Sequence, residues 1–381
     1  MQFKYIIGQE AVKQRLINSV TENRVSHAQL FLGPEGSGSL ALAVAYAQYV
    51  SCEDKQPNDS CGVCASCRKY QKLMHPDLHF SYPFFAKHKD DTALTFIEQW
   101  RDAFTANPYL NLDTWRGYLD AENKQANINI AECHQIIKKL SFKPFESEYK
   151  ILILWLPEYL DKEGNSLLKV IEEPQPNTLF LLVAQNQDQI LNTILSRTQL
   201  IKVPCLNFDD IKSELLSKHN QTETAAAEIA YLSNGNMTEA LQMLQQDTKS
   251  YHTLFVQWLR SCFSNKGSEA LSFTDQAAKM GRENQKNFMR YGISFLRECC
   301  LILAGAEAMV KLPAHEKETA TKMASVMNIP QAQAIITELE KAHYHIERNA
   351  NPKILFLDVS LQIIKILHFK TLPAGIHYIP N

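Results

Sequence analysis

Four cysteines stand close together at Cys52, Cys61, Cys64 and Cys67, in the spacing C-x8-C-x2-C-x2-C. A Cys-x-x-Cys pair lets two thiolates turn onto one ion, and four thiolates at about 2.3 Å suit a tetrahedral metal. Soft sulfur donors select zinc or an iron–sulfur cluster over magnesium or calcium. Four thiolates leave no open coordination position, so the expected role is a structural Zn2+ and not hydrolysis. Arg68 and Lys69 follow at once and would offset part of the thiolate charge. Free thiols or a redox pair are the plainer reading, which the clustering disfavours. The remaining Cys133, Cys205, Cys262, Cys299 and Cys300 fall on helical or apolar segments and read as core thiols.

A second pattern is Gly33-Pro34-Glu35-Gly36-Ser37-Gly38-Ser39-Leu40. A working phosphate loop is G-x-x-x-x-G-K-[ST]: its backbone N–H groups cradle phosphates, its Lys neutralises them and its hydroxyl residue holds magnesium. Here Ser39 stands at the Lys position and Leu40 at the hydroxyl position. The cradle glycines Gly33, Gly36 and Gly38 remain, and the loop is expected to be empty. Spaced glycines alone are a weak signal, and a plain glycine-rich turn is the competing reading. A matching loss lies downstream. In a nucleotide hydrolase a buried strand ends in acids that hold magnesium and polarise water. The apolar run from Lys150 ends instead in Trp155-Leu156-Pro157, and the first acid is Glu158.

The third candidate is Arg197, in Asn192-Thr193-Ile194-Leu195-Ser196-Arg197-Thr198. An Arg in a loop is ordinarily a surface charge. In nucleotide hydrolases assembled as rings, an Arg supplied to the neighbour's phosphates stabilises transition-state charge and is worth roughly 10³–10⁵ in rate.

The elements that must position these residues follow from periodicity. Glu10 to Glu22 has apolar residues at a helical period. Gln29-Leu30-Phe31-Leu32 is a short apolar strand before the glycine loop, and the Ala-rich Leu40 to Val50 favours helix. Ile128 to Leu140 predicts a helix. Lys150 to Leu156 and Thr178 to Ala184 are continuous apolar runs, the pattern of strands buried on both faces. Asn165 to Glu173 predicts a short helix stopped by Pro174, and Ile201 to Val203 a third strand of this half. Alternating strands and helices imply a mostly parallel sheet. After Pro204 the pattern is helical nearly to the end. Residues 80–127 fit no single period.

The chain of 381 residues has 45% hydrophobic residues, 21% charged residues and a formal net charge of -2, which disfavours a strongly basic nucleic-acid binder. No run approaches the length of a membrane span. The start, Met1-Gln2-Phe3-Lys4-Tyr5, lacks the apolar core of a signal peptide. The expected compartment is the cytoplasm, where stable disulfides are not expected.

Several stretches together resemble the AAA+ clamp-loader subunits of bacterial DNA polymerase III. His27 to Gly38 looks like the start of their ATP site, and the cysteine block with His75-Pro76-Asp77 is similar to their zinc module. Asn165-Ser166-Leu167-Leu168-Lys169-Val170-Ile171-Glu172-Glu173-Pro174 resembles the helix after their second nucleotide motif. Thr193 to Gln199 resembles their Ser-Arg-Cys segment, with Thr198 for Cys, and Asn351 to Leu367 the last collar helix. The resemblance implies an N-terminal AAA+ (RecA-like) α/β domain over 1–205, with a zinc module at 52–67 and an unplaced insertion at 80–127. A small helical lid at 206–250 and an all-α oligomerisation collar at 251–381 would follow.

Within this family the choice lies between the ATP-hydrolysing gamma/tau type and the non-hydrolysing delta-prime type. Ser39 replaces the Lys, and Trp155 and Leu156 replace the metal acids. In Ser233 to Leu241, similar to the family's lid motif, Thr238 takes the place of a nucleotide-sensing Arg. These losses imply the delta-prime type, with Arg197 as a finger acting in trans and ATP met only through neighbouring subunits. The resemblance further implies gamma/tau and delta subunits, the beta sliding clamp and primed DNA as partners, with no membrane. The competing readings are an active gamma/tau-type ATPase and a zinc-dependent binding module outside replication.

Overall fold

The computed structural model describes residues 1–368 except 87, 89, 122–124, 245–248, 265, 266, 311, 313 and 349. The end of the expected collar, from 369 on, therefore lies outside the described residues. By Cα packing the chain divides into two units, residues 1–221 with 233–242, and residues 222–232 with the chain from 243.

The first unit is built on strands β1 (Ala28–Leu32), β2 (Leu78–Ser81), β3 (Lys150–Trp155), β4 (Thr178–Ala184) and β5 (Gln199–Lys202). They form one sheet in the order β2-β3-β4-β1-β5, and every pair is parallel. β3 and β4 are buried along their whole length, which is why their sequences do not alternate. β5 is an edge strand with only Ile201 buried, and it carries polar ends as edges do. The side-chain period of two sends alternate residues to opposite faces. Phe31, Ile151, Ile153, Trp155, Leu181 and Val183 join one core, and Leu30, Leu152, Leu154, Phe180 and Leu182 join the other.

Helices α1 (Glu10–Thr21), α2 (Ser39–Val50), α3 (Ala65–Gln71), α4 (Ile97–Ala106), α5 (Leu112–Tyr118), α6 (Ile130–Ser141), α7 (Leu168–Glu172), α8 (Asn192–Leu195) and α9 (Phe208–Lys218) surround this sheet. Every residue of α2 is buried, and its alanines let it lie close to the strands. α6 is capped at its start by Asn129, whose side chain accepts from Glu132 N–H. Its C-terminal carbonyls are met by the buried ammonium of Lys150, which donates to Leu140 O at 2.6 Å and to Phe142 O; burial lowers that ammonium's pKa.

Two expectations need correction. Asn165 to Glu173 is not one helix: a 3-10 stretch runs from Pro157 to Leu167, and α7 begins at Leu168. Asp161, at φ 47° and ψ −139°, kinks the 3-10 stretch. Cys205 is exposed and no core thiol, although Cys133, Cys262 and Cys299 are buried.

The insertion is ordered around aromatic rings. Trp100 of α4 stacks on Tyr82 at 4.0 Å and meets Trp115 of α5 edge-on at 5.4 Å. Its ring centroid is also 5.2 Å from that of Trp155, at the end of β3. Trp115 Nε1 donates to Pro83 O at 2.7 Å, satisfying its polar edge.

The second unit is helical: α10 (Glu223–Leu232), the C-terminal part of α11 (Met237–Leu244), α12 (Lys249–Phe263), α13 (Gly267–Lys279), α14 (Arg282–Leu303), α15 (Ala314–Ala324), α16 (Ile329–Glu347) and α17 (Pro352–His368). Trp258 stacks on Phe273 at 4.8 Å and donates to Ser360 Oγ at 2.9 Å, at the centre of a core that includes Phe255, Phe288 and Phe356. No described helix is long and apolar enough to cross a membrane.

Candidate functional site

The cysteine cluster is assembled before and at the start of α3. The four sulfurs of Cys52, Cys61, Cys64 and Cys67 all lie within 4.8 Å of one another, and those of Cys61 and Cys67 are 3.9 Å apart. Ligands at about 2.3 Å from a tetrahedral zinc stand about 3.8 Å apart, so the set fits such an ion. Backbone N–H groups aim at the sulfurs: Cys61 N to Cys52 at 3.3 Å, Cys64 N to Cys61 at 3.3 Å and Cys67 N to Cys64 at 3.4 Å. Donors on sulfur favour the thiolate that a metal needs. The Val63 N–H, first among several donors, draws the Cys61 thiol down to about 7. Burial pushes Cys52 and Cys67 up, a cost that a bound dication would offset. Lys69, expected to balance the sulfurs, is engaged by Glu146.

Beside the cluster, Asp77 accepts the N–H groups of Phe145, Glu146 and Ser147 at 2.5, 2.8 and 2.9 Å. The His-Pro-Asp segment therefore anchors the turn that leads into β3, while His75 packs on Tyr70 of α3 with ring centroids 4.8 Å apart.

The glycine loop joins β1 to α2, as the spacing requires. Gly33 N–H donates to Ala184 O at 3.1 Å, and Gly36 and Gly38 take φ of 71° and 87°. Ser39, at the Lys position, bonds Ser37, with 2.9 Å between the hydroxyls. Leu40 is in the core. Trp155 occupies the end of β3 where an acid would be required, and Leu156 is buried beside it. Glu158 is held by backbone, accepting from Gln185 N–H at 2.6 Å and Asn186 N–H at 2.8 Å.

The space over the loop measures about 20 Å³, room for a water and little more. Pro108, Tyr109 and Leu110 from the insertion wall it, together with Trp155 and the ends of β1 and β4. No local pattern points to Tyr109, because its partners lie far away in the chain. Asn111 Nδ2 donates to Glu35 Oε1 at 3.0 Å, and Asn236 Nδ2 reaches the same oxygen at 3.4 Å. Thr238, the residue at the sensing-Arg position, donates its hydroxyl to Tyr109 O.

Arg197 follows α8 in a turn before β5. Its Nη1 donates to Thr193 O at 2.9 Å and to Ser196 Oγ at 3.2 Å, and its Nε pairs with Glu172 of α7. Nothing in the sequence singles out Glu172, whose contact with Arg197 is made only by the fold.

A parallel sheet with a glycine loop leading from an inner strand into a buried helix is the arrangement of phosphate-loop α/β domains, and with the family match that follows it fits an AAA+-type domain. Residues 8–207 match the family described as DNA polymerase III, delta subunit, and the chain belongs to that clamp-loader family, related to gamma and tau. Subunit tau of Bacillus subtilis is 24% identical over 96% of this chain and 62% of its own length. Subunit gamma of Buchnera aphidicola is 24% identical over 64% of this chain and 58% of its own. Subunit delta' of Bacillus subtilis is 25% identical over 63% of this chain and 60% of its own. The chain thus spans about six tenths of the length of these curated relatives. A gamma subunit-related protein of Thermotoga maritima overlaps 93% of this chain and 99% of its own at 13% identity and a TM-score of 0.36, too loosely to bear on the chemistry.

Proposed function

We propose that this chain is a clamp-loader subunit of delta-prime type, which does not hydrolyse ATP and supplies Arg197 to the ATP site of a neighbouring subunit. Its expected partners are gamma/tau and delta subunits, the beta sliding clamp and primed DNA, in a cytoplasmic hetero-oligomer. The four cysteines would hold a structural Zn2+. The division into 1–205, 206–250 and 251–381 stands as part of this proposal.

The observation that carries the reading is the loop itself. A phosphoryl-transfer site works by placing cations and donors around a charge that develops in the transition state. Here Ser39 brings no charge, Trp155 stands in place of a metal ligand, and the space left is about 20 Å³. The tau and gamma names among the relatives would favour an active ATPase, but no residue at the loop replaces the lost Lys.

The test is magnesium-dependent ATP hydrolysis by the purified chain, alone and with Ser39→Lys. Neither should turn over ATP, since the substitution restores neither the metal acids nor the space. Turnover by the wild-type chain that survives rigorous purification favours the gamma/tau reading.

A further inference from the structure

We infer that Pro108 to Asn111, from the insertion, act as a built-in occupant of the glycine loop, joining it to residues 236–238 without any nucleotide. The inference deepens the reading of a non-hydrolysing subunit and rests on it only for the loop's lost chemistry. Three observations carry it.

The occupant is anchored on every side. Tyr109 is buried, and its hydroxyl accepts Ile7 N–H at 2.8 Å. Its carbonyl accepts the Thr238 hydroxyl, and Asn111 holds Glu35 from above the loop. Residues 236–238 are fixed to the same loop, with Met237 N–H donating to Gly36 O at 3.2 Å.

The glycines are explained by the chain's own contacts. A Cβ on Gly36 would lie 1.8 Å from Asn236 Oδ1, and one on Gly38 would lie 3.0 Å from Tyr109 Cε1. The glycines that give phosphates close approach in a working loop here give that approach to Asn236 and Tyr109.

Some of the loop's other polar groups are bonded internally. Gln9 Nε2 donates to Ser37 O at 3.0 Å and to Pro204 O at 2.7 Å. The Ser37 and Ser39 hydroxyls bond each other. Pro108, Tyr109 and Leu110 wall the space over the loop, so the Tyr109 ring stands in the approach to Gly38.

The test uses the full chain and compares wild type with Tyr109→Ala, Asn111→Ala and Thr238→Val. Hydrogen–deuterium exchange is read at residues 236–240 and at the loop, with α6 as an internal control. Loss of one hydrogen bond should speed exchange there about fivefold, and loss of the ring by more, with α6 unchanged. Titration of wild type with fluorescent ATP and ADP should show no saturable binding at millimolar concentration. If Tyr109→Ala fails to fold, the two milder variants decide. Saturable nucleotide binding by wild type, or unchanged exchange at 236–240 in the folded variants, overturns the inference. Unchanged exchange in a chain without ATPase activity sinks the internal occupant alone, whereas ATP turnover by wild type sinks the delta-prime reading with it.

Discussion

Arg197 is tied back onto Glu172, its Nε donating to Oε2 at 3.1 Å. Nη1 is used on Thr193 and Ser196, while Nη2 has no partner among the described residues. The pair is partly exposed, at 31% for Arg197 and 56% for Glu172. Such pairs contribute about 0–1 kcal/mol, so Arg197 can be released at small cost.

Arg197→Ala should therefore leave melting within about 3 °C of wild type. In complex reconstituted with gamma/tau and delta subunits, clamp and primed DNA, steady-state ATPase should fall, with roughly 10³–10⁵ as the upper bound for one finger. Equal rates in complexes that assemble normally would make Arg197 a surface charge.

The cysteine cluster should carry one zinc per chain when the protein is purified without chelator, as read by elemental analysis. Cobalt substitution should give the absorption of a tetrahedral thiolate site. Because the ligands must be deprotonated, acid should release the metal. Cys67→Ser should lower metal content and melting temperature together. A disulfide between any two of the four cysteines would contradict this.

Asp77 gives a pH prediction with a definite sign. Burial alone would raise its carboxyl, but the N–H groups of Phe145, Ser147 and Glu146, with His75, draw it below the ordinary value of an aspartate. A depressed carboxylate stabilises the fold fully above its unfolded pKa and loses that contribution as pH falls through the folded one. Asp77→Asn should thus melt lower than wild type at pH 7. The gap should close as the solution is acidified below about 4, which denaturation curves at several pH values would reveal.

Gly36→Ala should destabilise the first unit without any nucleotide present. The residue has φ of 71°, and the added carbon would collide with Asn236. Backbone strain and overpacking together cost about 2–3 kcal/mol. Urea denaturation would measure it. A neutral result would mean that 236–237 does not rest on the loop.

The sheet was legible in the sequence where burial is complete. β3 and β4 are covered on both faces, so their apolar runs are unbroken, and the glycine loop was placed by the strand and helix around it. β2 was missed because Leu78-His79-Phe80-Ser81 alternates apolar and polar residues over only four positions and offers no continuous apolar run. α4 and α5, of ten and seven residues, are too short for a period to emerge, and their aromatic residues are spent on Tyr82 and Trp155. The closure over the loop was hidden for a different reason. Tyr109 meets Thr238 and Ile7 across long stretches of chain, and no local pattern encodes such a meeting. Cys205 was misread because an apolar neighbourhood in sequence does not guarantee burial.

The path of the chain has a practical consequence for dissection. Residues 233–242 belong to the first unit but are flanked on both sides by residues of the second. Neither unit is thus a single uninterrupted stretch of polypeptide. A truncation that stops at Gln221 strips the glycine loop of Asn236, Met237 and Thr238, and a fragment that starts there carries these three away from their seats. The two units alternate along the sequence, so expressing either one alone requires splicing its segments through a linker and not one cut.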